Sequence, residues 1–244
     1  MSNLQQATTR SFVDLKKFAV ETQSAKAVRA GLDCPFLSNR RILELPPGPV
    51  SVGAIALDAG CGAMPAHPAD EFIIVSEGTL ELKQGGLVLT LGPGNSAVLR
   101  RGAEYSWTAS GPVSIIFMRY EKGQHVDGNI VPIKSRPELE LSSAPSADLL
   151  LTPAPICRNF TDYRSTDGEF SCGTWDSTPY HRSAMFYRHY ELMYLLEGSV
   201  TFVDEADRTG TFKQGDIFLV EQGARCSWES REHVTKVYAI YRPA

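Results

Sequence analysis

The feature that most constrains this chain is an internal duplication. Glu71 and Gly78 recur 120 residues later as Glu191 and Gly198. Gly94, Gly102 and Trp107 recur 121 residues later as Gly215, Gly223 and Trp228. Upstream, Gly53 and Gly173 keep the first offset; downstream, Tyr120 and Tyr241 keep the second. A one-residue length change in the intervening hairpin reconciles the two. A period this long is not a solenoid unit, so it reads as two copies of one small domain.

Within each copy the pattern is that of strands. Ile73-Ile74-Val75 and Leu192-Met193-Tyr194-Leu195-Leu196 are short apolar runs, each followed by a Glu-Gly pair. Thr79–Lys83 and Val200–Asp204 alternate in polarity. Short strands at close spacing, punctuated by Gly, Pro and Asp, predict an all-β sandwich or barrel. Near the N-terminus, Ser11 and Asp14 resemble a capping box, and Phe12, Leu15, Phe18 and Ala19 follow at helical spacing. A short helix to about residue 29, ended by Gly31, is expected there. Pro132, Pro137 and Pro145, together with serines, mark a linker, and Ile130–Ile133 is a candidate edge strand within it. The predicted division is an N-terminal helical arm at 1–30, domains at 31–122 and 151–244, and a linker at 123–150.

Glu, six residues, Gly, and later a second pair of glycines flanking a strand, resembles the two motifs of the cupin superfamily. Trp228, with Trp175 and Pro179 upstream, resembles the branch holding ethanolamine-utilisation cupins and ureidoglycine aminohydrolase. The resemblance implies two tandem cupin jelly-roll domains, each a double-stranded β-helix, in an all-β chain with a short N-terminal helix. It also implies where a metal would sit. Metal-binding cupins carry an HxH pair, a Glu and a distant third His. Alternate strand residues share a face, so HxH presents two imidazoles inward about 7 Å apart.

Neither copy keeps that set. In the first, Glu71 and His67 hold motif positions, but Pro65 and Tyr105 replace the other two histidines. In the second, Met185, Tyr187 and Cys226 stand at the histidine positions. His189 shares strand parity with Glu191 and is expected on the same face. His189, Glu191 and Cys226 therefore form a candidate metal set, completed by His181 or water. The cofactor it admits is a divalent Mn, Fe, Zn or Ni ion in the C-terminal barrel. The bland alternative is a hydrogen-bonded His189–Glu191 pair beside a buried Cys226. Glu71, His67, Tyr105, Tyr187 and Trp228 are the candidate ligand-binding residues, and Glu191 is the candidate catalytic one.

Composition narrows the partners. The net charge is -4 and the pI about 5.8, which argues against a nucleic-acid face. No apolar run approaches the roughly 20 residues of a membrane helix. The N-terminus has no charged-then-apolar signal layout. The five cysteines are odd in number and form no CxxC pair, as expected of free thiols in a cytoplasmic protein. Two functions stay open. One is binding of a small polar molecule without an intact metal triad. The other is a metal-dependent enzyme on a small nitrogen compound, similar to ureidoglycine aminohydrolase and using the C-terminal barrel. A homodimer is the expected assembly, since edge strands and the N-terminal helix offer surfaces for pairing.

Overall fold

The computed structural model describes residues 10–23, 34–125 and 128–244. They form two β-sandwiches, each made of two antiparallel sheets. In the first, a six-stranded sheet runs in the order Val131–Pro132, Ser96–Leu99, Asp70–Glu77, Val113–Tyr120, Val50–Leu57, Arg40–Ile42. Opposite lie Gly60–Met64, Tyr105–Ala109, Leu80–Gln84 and Leu87–Leu91. In the second, the large sheet runs Phe12–Asp14, Ile217–Val220, Tyr190–Glu197, Val234–Tyr241, Phe170–Ser177, Cys157–Arg164, Glu140–Ser142. Its four-stranded partner holds Tyr180–Phe186, Arg225–Ser230, Ser199–Val203 and Thr209–Lys213. The two large sheets share one strand order, as the duplication predicts.

The apolar runs have a simple cause: both faces of each large sheet are buried. Along Asp70–Glu77, Ile73 and Val75 fill the first sandwich, while Phe72 and Ile74 join a second apolar layer. Along Tyr190–Glu197, Met193 and Leu195 fill the second sandwich, and Leu192 joins that same second layer. This layer lies between the two sandwiches, where Val52, Ile116 and Met118 meet Phe170, Leu219 and Val237. A sheet covered on both sides reads as a continuous hydrophobic run rather than an alternation. Glu71 and Glu191 carry the parity of the inner faces.

The repeated glycines also have physical roles. The pairs Gly78 and Gly198, Gly94 and Gly215, and Gly102 and Gly223 all have φ between 77 and 92°, a region costly for residues with a Cβ. Gly53 and Gly173 serve differently. A Cβ on Gly53 would stand 2.2 Å from the Arg41 carbonyl oxygen, and one on Gly173 2.0 Å from that of Phe160. There the neighbouring strand passes too close for any side chain.

The N-terminal segment departs from expectation. Phe12–Asp14 is a strand, paired in the order Phe12 to Val220 and Asp14 to Phe218. The helix begins at Leu15, runs to Gln23, and is capped by Asp14, whose Oδ1 accepts the Lys17 N–H at 2.9 Å. The extended form has the advantage of burying two side chains on opposite faces. Phe12 packs within 6.2 Å of the Phe202 and Phe212 rings, and Val13 packs on the layer between the sandwiches. The expected stop at Gly31 lies outside the described residues. Leu15 and Ala19 sink into the layer shared by both halves, and Val131–Pro132 forms the expected edge strand. No helix among the described residues is long and apolar enough to cross a membrane.

Candidate functional site

Two inward glutamates occupy matching positions with different surroundings. In the first half, Glu71 is fully buried. Its cross-strand neighbour is Arg119, whose Nε donates to Oε2 at 2.7 Å. Arg40, from the edge strand, closes a fork: Nη1 donates to Oε2 at 2.7 Å and Nη2 to Oε1 at 2.8 Å. Arg40 is itself held by Nε donating to the Phe36 carbonyl at 3.0 Å, and it lies over the Phe117 ring. His67 Nε2 stands 3.8 Å from Glu71 Oε1, and His67 Nδ1 shares a 3.0 Å hydrogen bond with the Tyr105 hydroxyl. Phe36, from the short helix Pro35–Ser38, closes over Tyr105 and Trp107.

The electrostatics follow. Burial pushes the Glu71 carboxyl up, but Arg40 and Arg119 outweigh it and hold the group well below the carboxylate range. Burial lowers His67 to about 3 and raises the Tyr105 phenol. The structure therefore brings Glu71, His67 and Tyr105 together as an interior network. Both Glu71 oxygens are taken by guanidinium groups, and a metal finds no free carboxylate there.

In the second half the corresponding cations are missing. Ile240 lies opposite Glu191 where Arg119 lies opposite Glu71. Asn159 pairs with Trp175 where Arg40 pairs with Ile55. The space they leave contributes to a cavity of about 500 Å³ whose lining includes Asn159, Trp175, Tyr180, Arg182, Met185, Tyr187, His189, Glu191, Trp228 and Lys236. Residues Ser142 to Pro145 of the linker line it as well. Lys236 supplies the counter-charge: its Nζ donates to Glu191 Oε1 at 2.7 Å and lies 4.7 and 5.0 Å from the Trp175 and Trp228 ring centres. His189 Nε2 is 3.3 Å from Glu191 Oε2. Burial alone would raise the Glu191 carboxyl; Lys236 and the His189 contact overcome it and hold it well below the usual range. Trp228 stacks on Tyr180 at 5.7 Å, and the Tyr187 hydroxyl accepts from Arg182 Nη2 at 2.6 Å.

The residues do not come together as the candidate metal set read from the sequence. Among the described residues, no group of three or more His, Cys, Asp or Glu side chains is placed to hold a metal ion. His189 and Glu191 meet, but Cys226 does not complete them. It is fully buried in the apolar packing of the second sandwich, where burial pushes its thiol up to about 12. That disfavours the thiolate a metal needs. His181 is not among the residues lining the cavity. The arrangement is the bland alternative for His189 and Cys226, with a lysine added.

Sequence reasoning missed Lys236, Arg182, Arg40 and Arg119. A signal existed for two of them. Arg119 and Lys236 are the single charged residues of the closing strands Val113–Tyr120 and Val234–Tyr241. Arg182 was hidden by a register shift between Arg182 and Met185, which lets both residues line the cavity despite opposite parity.

Comparisons with known proteins agree with this architecture. The EutQ-like cupin domain family matches residues 164–238. A solved protein of unknown function from Pseudomonas syringae pv. tomato, of the DUF861 family, is 29% identical with a TM-score of 0.80. That alignment covers 88% of this chain and 92% of that one. Protein Ylba from E. coli, also DUF861, is 13% identical with a TM-score of 0.56, covering 99% and 96%. A salicylate 1,2-dioxygenase from Pseudaminobacter salicylatoxidans is 13% identical with a TM-score of 0.54, covering 99% and 88%. At such identities the last two share the fold. No curated protein matches the sequence. Shared strand order, the inward glutamates and these likenesses lead to one assignment: the chain has the all-β cupin fold, and its residues 164–238 match the EutQ-like cupin domain.

Proposed function

We propose that the chain is a bicupin, with domains at 31–122 and 151–244, that binds a small polar molecule in its C-terminal barrel without a metal triad. The observation that carries this reading is the contrast between the glutamates. Glu71 is sealed by two arginines, whereas Glu191 faces a cavity of about 500 Å³ with its charge balanced by Lys236. That volume is within the usual range for small-molecule sites, which combine apolar walls with a few placed polar groups. Trp175, Tyr180 and Trp228 supply the walls; Asn159, Arg182, His189 and the Glu191–Lys236 pair supply the polar groups. The N-terminal barrel then serves as a packed support.

Metal analysis of protein purified without chelator tests the reading. The expected content of Mn, Fe, Ni and Zn is far below one ion per chain, and added metal leaves thermal stability unchanged. Near-stoichiometric metal that disappears in Glu191→Ala overturns it. That result would favour the metal-dependent reading, an enzyme on a small nitrogen compound in the manner of ureidoglycine aminohydrolase.

A further inference from the structure

Resting on that reading, we infer that the ligand is a compact organic carboxylate. Its anionic group is held by Arg182 and Tyr187, and its apolar body lies against Trp175 and Met185.

The argument starts from an unbalanced buried charge. Arg182 lines the cavity and is only 3% exposed. Its guanidinium donates to three neutral acceptors: the Ser183 carbonyl at 3.1 Å, the Cys226 carbonyl at 2.9 Å and the Tyr187 hydroxyl at 2.6 Å. The Tyr180 hydroxyl is a fourth neutral hydrogen-bond partner, and burial raises both phenols, so they stay protonated. A guanidinium has five N–H donors and a fork suited to carboxylates. Buried charges are ordinarily paired, and Arg182 meets no carboxylate among the described residues. Lys236 differs, because Glu191 neutralises it at 2.7 Å.

The other half sharpens the point. Arg182 is in register with Trp228, and Gly62 is in register with Trp107. A Cβ on Gly62 would stand 2.8 Å from the Trp107 indole nitrogen. The closed barrel thus has no side chain where the open barrel carries a cation. Having accepted from Arg182, the Tyr187 hydroxyl keeps its own proton for an anion. Trp175 and Met185 are both half-buried and line the cavity, so they offer it apolar surface. The exposed Arg164 and Arg242 also line the cavity, with Glu169 as the one carboxylate besides Glu191, so its charged lining is net positive, which favours anions.

The test compares benzoate, acetate, benzamide and benzylamine by calorimetric titration and quenching of tryptophan fluorescence at pH 7. Benzoate is expected to bind about tenfold or more tightly than benzamide, the difference expected for a charge-assisted pair. Arg182→Met should remove that preference by weakening benzoate and leaving benzamide within about twofold. Arg182→Lys, which keeps the charge and loses the fork, should give an intermediate loss, and Tyr187→Phe a smaller one. Should Arg182→Met not fold, the wild-type ratio of benzoate to benzamide decides alone. Benzamide or benzylamine binding as tightly as benzoate overturns the inference and leaves small-molecule binding standing. If no probe binds at millimolar concentration, both fall.

Discussion

Glu71 and Glu191 are the same residue in the same place of a repeated fold, yet they do different things because of what stands opposite. Parity along the strand made their inward direction legible in the sequence. Their partners were not legible, since Arg40, Arg119 and Lys236 reach them from other strands. Cross-strand register has to be known before those cations can be assigned. The Lys236–Glu191 pair is buried, so removing one member leaves an uncompensated charge. Lys236→Met is expected to destabilise the protein by about 3–5 kcal/mol, as measured by urea unfolding at pH 7. Lys236→Met,Glu191→Leu together should recover most of that loss, and a double variant as unstable as the single one would contradict the pairing. His67 yields a pH prediction. Its folded-state value, about 3, lies below the ordinary 6.5. Between these values the unfolded chain binds more protons, so the stability contribution is full above pH 6.5 and shrinks as pH falls. From pH 7 to pH 5 the wild type should lose about 2 kcal/mol more than His67→Gln. Parallel unfolding curves for the two proteins would exclude a neutral buried His67.

At the scale of elements, the glycine pairs and apolar runs identified both sandwiches, because turns and doubly buried strands leave strong marks. Gly173 is an instance: its equivalence to Gly53 was visible, but its reason, a carbonyl 2.0 Å from a would-be Cβ, needed the neighbouring strand. Gly173→Ala is expected to cost about 1–3 kcal/mol by forcing the Cys157–Arg164 strand away from Phe170–Ser177. A denaturant midpoint unchanged from wild type would show that the strands can part freely. Phe12–Asp14 was misread because Ser11 and Asp14 satisfy a local helix rule, while the competing interaction is with residues 218–220. Local chemistry did appear, but three residues later, with Asp14 as the cap itself. The prolines and serines of residues 123–150 were what suggested a linker. Its strand Glu140–Ser142, and its place along the cavity, arise from pairing with Cys157–Arg164 that the linker's own composition does not encode.

For the whole molecule, the apolar layer between the two large sheets makes the halves one mechanical body. Residues of both barrels and of the helix Leu15–Gln23 contribute to it. Calorimetry should show a single unfolding transition, and Leu192→Ala, at that layer, should lower stability by about 2–5 kcal/mol without splitting it. Two separate transitions would show that the barrels melt independently. Arg10 fastens the same assembly: its Nε donates to Glu221 Oε1 at 2.8 Å, and its Nη2 reaches the Glu44 carbonyl. The strand that follows it has a further consequence for biogenesis. Its seat, Ile217–Val220, lies near the far end of the sequence, and the Arg10–Glu221 contact spans 211 positions. During translation this segment must wait, unpaired, until the roughly two hundred residues between it and its partner strand have been made. The edge beside Ile217–Val220 is thus closed by residues made long before it.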